Sequence, residues 1–403
     1  MNMPVYDPTD GGTRRDPFPL YAALQDQDPV HWSEALRCWV ITRYADVRQI
    51  IRAPEISSDR LGPFYAALRD ERRDILSGVI RYLNEWLVFK APPEHTQLRK
   101  LLNQVFSPAM IAQLEPRIEA TVAHILDPLD TTQPVEFMGD VAVLLPAYVI
   151  LDLMGLPRSD FPARKQWSDQ LRLFVGSARG DDDKYRKARE GADHMADYFR
   201  QAIAQRRAVP GEDVISQLVQ AWDGDANLRE DTLVATCMLI LFGGHETTTN
   251  FLGSAVAALI DHPEQRQRLA QDPALMPSAI EEFLRFDGPS NSIARVVAQD
   301  HELGGKTLKS GQRLFAMINA ANRDPRAFER PHELDVGRNP NPHLTFGQGL
   351  HFCLGARLAK LEAQVCLQAL MQRYPKMRHA PGELQWLDAL VMRGPLQLPL
   401  HLN

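Results

Sequence analysis

The chain has 403 residues, 44% apolar and 24% charged, a balance that argues against disorder and suits a globular protein. Its 51 acidic and 45 basic residues give a net charge of −6 and a pI near 6.1, which supplies no electrostatic basis for a nucleic-acid partner. No window approaches the ~20 consecutive apolar residues that a membrane-spanning helix requires. The length alone suggests two or three domains. No Gly/Ser tract, charge block or repeat interrupts the sequence, however, so a single domain over 1–403 is expected.

In chain order, residues 1–15 carry prolines and charges without an apolar run, so neither a signal peptide nor a membrane anchor is expected, and the location is read as cytoplasmic. Residues 30–32 and 38–42 alternate like the arms of a hairpin bridged by 33–37. Residues 69–73 are densely charged and read as part of a solvated lid. Helical periodicity predicts helices over 44–51, 95–105, 111–129, 139–154, 183–208 and 214–222. It predicts four more over 229–261, 263–272, 276–286 and 356–374. Pro146 should kink or shorten its helix. Further strands are expected at 295–298, 303–304, 313–318, 390–393 and 397–400. The fold class is therefore mainly α with a minor β portion.

The stretch 229–261 is about 33 residues, roughly 50 Å as one helix, and its apolar middle places it in a core. Within it runs L-F-G-G-H-E-T-T-T-N, from Leu241 to Asn250. Gly243 and Gly244 each cost a helix about 1 kcal/mol against alanine. That cost predicts a widened turn where a carbonyl is freed and a small ligand or water enters. Glu246 and Thr247 set a carboxyl and a hydroxyl beside it, as a proton relay. The other reading is a helix packed through small residues, with Glu246 in an ion pair. His245 is expected to face away from the relay as a packed or hydrogen-bonded histidine.

The four cysteines, Cys38, Cys237, Cys353 and Cys366, form no C-x-x-C pair of the zinc or iron–sulfur type. Cys353 stands in F-G-Q-G-L-H-F-C-L-G, from Phe346 to Gly355. Gly347, Gly349 and Gly355 let the backbone approach a ligand closely. The helix expected to follow puts its N-terminus near the sulfur and favours a thiolate. One anionic sulfur in a dry loop suits an axial bond to haem iron. A buried structural cysteine is the alternative.

By Phe346, Gly349, His351, Cys353 and Gly355 the loop resembles the haem-ligand loop of the cytochrome P450 family. Gly243, Gly244, Glu246 and Thr247 are similar to that family's acid–alcohol pair, with glutamate in place of aspartate. The resemblance implies the P450 fold, with haem b buried between the long central helix and the cysteine-loop helix. Cys353 would be the metal ligand, and Gly243, Gly244, Phe346, Gly347 and Gly355 would face the cofactor. Buried haem propionates need cations, and the family positions match His95, Arg99, Arg295 and His351. On chemistry alone His95 and Arg99 could equally be a solvated i, i+4 pair, and Arg295 could face solvent. Glu282 and Arg285 form E-x-x-R, and with Arg338 they match a structural trio that supports the loop. Leu334 stands where the family usually has phenylalanine.

The resemblance further implies a monooxygenase that uses dioxygen to oxidise, in the first instance hydroxylate, a small organic substrate. The chain has no flavin or nicotinamide motif, so electrons from NAD(P)H are expected through a ferredoxin-type iron–sulfur protein and its flavin reductase. Arg99, Lys100, Arg357 and Lys360 are either a basic docking patch for that donor or unrelated solvated charges. Substrate contacts are expected from 61–87, 171–177, 238–244, 288–293 and 390–392. Ser290, Asn291, Ser292 and Ile293 are the named candidates, though the three polar ones would be equally satisfied by a turn. Coupling, dealkylation or nitration at the same site would leave the sequence unchanged. A haem-thiolate sensor would need neither relay nor patch.

Overall fold

Among the described residues every strand belongs to one of two compact units, the one formed by 1–57, 122–144 and 247–403; the other, 58–121 and 145–246, is helical. The computed structural model describes residues 4–8, 10–175, 183–224 and 228–403. No helix among them is long and apolar enough to cross a membrane.

In the strand-bearing unit a five-stranded sheet runs in the order Val30–Ser33, Cys38–Ile41, Arg313–Met317, Ser292–Val297, Ile56–Ser57. All neighbours are antiparallel except Cys38–Ile41 and Arg313–Met317, which are parallel. The period of two sends alternate side chains to opposite faces. Ile41, Leu314 and Ala316 join a core with Val47, Ile50 and Val297, whereas Val40, Phe315 and Met317 join a second core with Tyr21 and Leu24. Both faces are thus covered. The expected hairpin forms in register, Val30 opposite Ile41. The strand expected from 295 begins at Ser292, and 390–393 contributes only a bridge between Ser290 and Met392. Strands of two or three residues at Ile56–Ser57, Val135–Glu136, Lys306–Leu308 and Arg378–His379 show no readable period and were not predicted.

Most predicted helices appear within a few residues of their expected ends, among them Glu94–Val105, Lys184–Ala208, Glu230–Asp261, Met276–Phe286 and Ala356–Arg373. Two are divided. The 111–129 stretch is the pair Pro108–Ala112 and Glu115–Leu126. The 139–154 stretch is a π-helical turn, Met138–Ala142, followed by Leu144–Leu153. There the Val143 N–H reaches back five residues to the Met138 carbonyl at 2.9 Å, just before Pro146, which has no N–H to donate. Residues 69–73 are solvated as expected, Arg69 to Arg72 being exposed, but they open a helix that was not predicted, Asp70–Leu83. Its stripe of Leu76, Val79, Ile80 and Leu83 is buried beneath a charged outer face that masked the pattern. Phe18–Gln27 and Phe161–Val175 were also missed.

In the helical unit, Lys184–Ala208 packs on Phe161–Val175 through Gly191. A Cβ there would stand 2.6 Å from the Trp167 carbonyl oxygen. Backbone cannot move aside as a side chain can. Gly191→Ala should therefore lose about 1–3 kcal/mol in urea unfolding of the holoprotein, instead of the ~1 kcal/mol gain expected at an open helical site. A gain would contradict this packing.

Candidate active site

In the strand-bearing unit, the approach to Cys353 is fixed by a buried carboxylate. Glu282 and Arg285 are both 0% exposed, and pair through Nε–Oε2 at 2.7 Å and Nη2–Oε1 at 2.8 Å. Arg338 donates from Nε to both Glu282 oxygens at 3.1 and 3.0 Å, and Asn341 adds a bond at 3.1 Å. The remaining Arg285 donors reach the carbonyls of Asn322, Pro331 and Glu333. Asn322 then accepts the Leu344 N–H at 2.8 Å and donates to the Thr345 hydroxyl at 2.9 Å, which itself donates to the Leu284 carbonyl. This chain of bonds ends one residue before Phe346. Leu334 is buried beside it.

From Phe346 the loop closes on itself. Gly347 and Gly349 both take φ of +69°, which only glycine adopts freely. The Gly347 N–H donates to Leu344, the Phe352 N–H to Gly349, and the Cys353 N–H to the Phe346 carbonyl at 2.9 Å. Helix Ala356–Arg373 begins three residues later. Of the four cysteines Cys353 alone is exposed. Burial pushes the thiols of Cys38 and Cys366 up to about 12 and raises that of Cys237 as well, which leaves them as packing residues. His351 lies in the turn Gly349–His351, half-buried, and Gly347 faces Ile293 from the strand Ser292–Val297. Arg295, on the same strand, donates to the Ala294 carbonyl at 2.9 Å.

The long helix is continuous α through Leu241 and Asn250, so the expected widened turn is absent. Its two glycines have separate reasons. A Cβ at Gly244 would meet Ile150 Cγ1 at 2.9 Å, so this position permits close packing on Leu144–Leu153. Gly243 is exposed in an otherwise buried run. In the helical unit Glu246 is buried and faces Arg172 Nε at 3.4 Å, Lys165 Nζ at 3.6 Å and His245 Nε2 at 3.3 Å. Burial alone would raise its pKa, but His245 and the charges of Lys165 and Arg172 hold the carboxyl at about 2. His245 is hydrogen-bonded, Nδ1 to the Leu241 carbonyl at 2.7 Å. Its other nitrogen turns toward Glu246 rather than away, in a contact too poorly aligned for a good hydrogen bond. Thr247 is half-buried.

A family model described as Cytochrome P450 matches residues 162–381, more than half of the chain. The vitamin D(3) 25-hydroxylase of Pseudonocardia autotrophica is 36% identical over 396 residues, 96% of this chain and 94% of that protein. The nocardicin C N-oxygenase of Nocardia uniformis subsp. tsuyamanensis is 34% identical over 393 residues, 96% and 95% of the two chains. The crystal structure of CalO2 matches with a TM-score of 0.90 at 31% identity over 99% of each chain. The chain belongs to the cytochrome P450 family. It has the P450 fold and is a haem-thiolate monooxygenase that takes electrons from a redox partner and oxidises a small organic substrate.

The residues present suit a P450 haem. The exposed cysteine sits on a loop where, among the described residues, nothing lies within 4 Å of a Cβ built at Gly349 or Gly355. On the long helix Gly243 is exposed, and a Cβ there would meet only Leu239 Cδ1, at 3.9 Å, among the described residues. The propionate candidates fall in both units: Arg295 and His351 in one, buried His95 and half-buried Arg99 in the other. Burial first, and then the charge of Arg99, lowers the pKa of His95.

Two expectations need correction. Asn291 and Ser292 hold the fold together: Asn291 accepts from the Tyr21 hydroxyl at 3.0 Å and donates to the Leu390 carbonyl, which Ser292 also meets at 2.8 Å. Their polar groups are engaged by Tyr21 and Leu390, partners distant in the chain, and not by a local turn. Ser290 bridges to Met392, and Ile293 stays half-buried against a core. In the basic patch, Lys360 is bound to Glu281 at 2.7 Å, while Arg357 is exposed. Burial would raise Glu281, but His343 and Lys360 hold it at about 2. Gly176 and Ser177, from a segment expected to contact substrate, lie outside the described residues.

Glu362 was missed entirely. It is fully buried on the helix after Cys353, and burial raises its pKa to about 8, with the Thr248 hydroxyl drawing it only partly back. Neither carboxyl oxygen completes a well-formed hydrogen bond. The only signal was a lone glutamate among Leu358, Ala363 and Cys366. Because the folded state holds this proton above the ordinary 4.5, its contribution to stability is full below that pH and is lost as pH rises to about 8. Glu362→Gln should therefore flatten the fall in urea-derived stability between those two pH values. An unchanged pH slope would show that Glu362 does not carry it.

Proposed function

We propose that residues 1–403 act as one catalytic domain in the cytoplasm, hydroxylating a small organic substrate with electrons passed from NAD(P)H by a flavin reductase and a ferredoxin-type iron–sulfur protein. The observation that carries the reading is Cys353, an exposed thiol on a loop pinned by glycines at positive φ and anchored through Thr345 and Asn322. Cys353 would hold the haem iron through its sulfur, with the first turn of Ala356–Arg373 favouring the thiolate. His95, Arg99, Arg295 and His351 would bind the propionates, and Gly243, Gly244, Phe346, Gly347 and Gly355 would border the ring. Haem, when bound, supplies the chemistry that activates dioxygen and transfers one of its atoms. Glu282, Arg285 and Arg338 keep the cysteine loop in place.

On the long helix we assign the proton relay to Glu246 and Thr247. His245, Lys165 and Arg172 keep Glu246 anionic, so in this relay it would order hydrogen-bond donors beside Thr247 as an acceptor rather than store the proton itself. The donor would dock near exposed Arg357, since Glu281 already offsets the charge of Lys360.

Thr247→Ala tests the relay. The variant should retain its haem and its rate of NAD(P)H consumption to within about twofold, while product per electron pair falls roughly tenfold and hydrogen peroxide rises to match, the size typical of lost acid–base assistance. Unchanged coupling of electrons to product would remove Thr247 from the relay.

A further inference from the structure

Within the strand-bearing unit, one carboxylate reaches the start of the cysteine loop by two routes. Glu281, on Met276–Phe286, accepts from His343 Nε2 at 2.8 Å on one oxygen and from Lys360 Nζ at 2.7 Å on the other. His343 lies just before the loop with its side chain only 5% exposed, and Lys360 lies on the helix after Cys353. Both then meet the same ring. His343 packs on Phe346 with centroids 6.0 Å apart and planes at 50°, and Lys360 Nζ stands 5.9 Å over the Phe346 ring.

The neighbours of His343 decide where its hydrogen sits. Against the effect of burial, His343 and Lys360 hold Glu281 at about 2, so its carboxylate only accepts. Nε2 therefore carries a hydrogen. On the other side the Thr345 N–H donates to Nδ1 at 3.3 Å, which requires a lone pair there. The ring is thus the neutral Nε2–H tautomer. The charged groups packed about it are Glu281 and, across that carboxylate, Lys360. Glu282 is turned to Arg285 and Arg338, and the Tyr44 hydroxyl donates to the adjacent Pro342 carbonyl at 2.8 Å.

These contacts converge on the backbone that holds Cys353. Thr345 and Phe346 are consecutive, and the Phe346 carbonyl accepts the Cys353 N–H at 2.9 Å. Phe352, the residue before the cysteine, also packs on Phe346, with centroids 6.3 Å apart. A second hydrogen on His343 would set an N–H against the Thr345 N–H and open this hold.

We propose that Glu281 and His343 are positioning residues for Cys353. Neutral His343 holds Thr345 and Phe346, and through the Phe346 carbonyl it keeps the cysteine oriented so that its sulfur stays a thiolate. The Glu282 cluster anchors the approach to the loop, whereas His343 adds a hold that a proton can release. This rests on reading Cys353 as the haem ligand.

The test follows the reduced, carbon-monoxide-bound holoprotein and the rate at which its red-shifted Soret band gives way to an unshifted one. In wild type that rate should rise about tenfold or more between about pH 8 and 5, the range in which histidine changes charge. His343→Asn can place its amide oxygen where Nδ1 accepts and cannot be protonated, so its rate should stay within roughly twofold across that range. Glu281→Gln keeps an acceptor but removes the charge that favours an imidazolium, so the midpoint of the rise should move down by about one pH unit. A merely structural contact would lower resistance to urea in these variants without moving the profile. A wild-type rate that does not rise with acid, a rise that survives unchanged in His343→Asn, or an unmoved midpoint in Glu281→Gln would each overturn the proposal. Absence of the red-shifted band from fully haem-loaded wild type would remove the Cys353 reading, and the proposal with it.

Discussion

The Glu282 carboxylate is the constraint on which the cysteine loop depends. A buried ion needs its partners complete, and this one has them: two arginines and an asparagine on its oxygens, and carbonyls on the outer faces of those arginines. Such a cluster adds less stability than its bond count implies, because desolvation offsets most of the attraction. Breaking it is another matter, costing about 3–5 kcal/mol when one partner of a buried pair is removed. Its value here is positional. It fixes Met276–Phe286 against the irregular segment that ends at Thr345, and the loop holding Cys353 starts at the next residue.

The long helix shows a different principle. Adjacent glycines in a core helix were expected to widen a turn, and the helix stays regular there. Gly244 lets Ile150 approach, and Gly243 leaves a strip of backbone uncovered beside a carboxylate held anionic by two cations. Unbroken hydrogen bonding gives the acid and hydroxyl a rigid mount, and small residues provide the room. A site for a planar cofactor and a small oxidant needs both properties.

Much of this was legible in the sequence because it lies in local patterns. The glycine spacing around Cys353 predicted a tight loop, and positive φ at Gly347 and Gly349 is the physical content of that spacing. E-x-x-R predicted a pair, though i, i+3 spacing does not distinguish a solvated pair from a fully buried one. What escaped depends on partners distant in sequence. Asn291 and Ser292 could be read as meeting substrate or a turn until Leu390 came to meet them, and Lys360 as part of a docking patch until Glu281 did. Glu362 is an unremarkable letter in the chain. Its significance comes from what surrounds it, a buried setting in which neither carboxyl oxygen completes a hydrogen bond. Asp70–Leu83 was lost for the opposite reason, since its charged outer face obscured a narrow apolar stripe.

The central claim is that the Cys353 sulfur is the protein's bond to haem iron. It is tested most directly by the carbon-monoxide difference spectrum of the reduced holoprotein, comparing wild type with Cys353→Ala at matched haem content. The account predicts the red-shifted Soret band of thiolate ligation in wild type and its complete loss in the variant. A red-shifted band that persists in Cys353→Ala, or is missing from fully haem-loaded wild type, would contradict it.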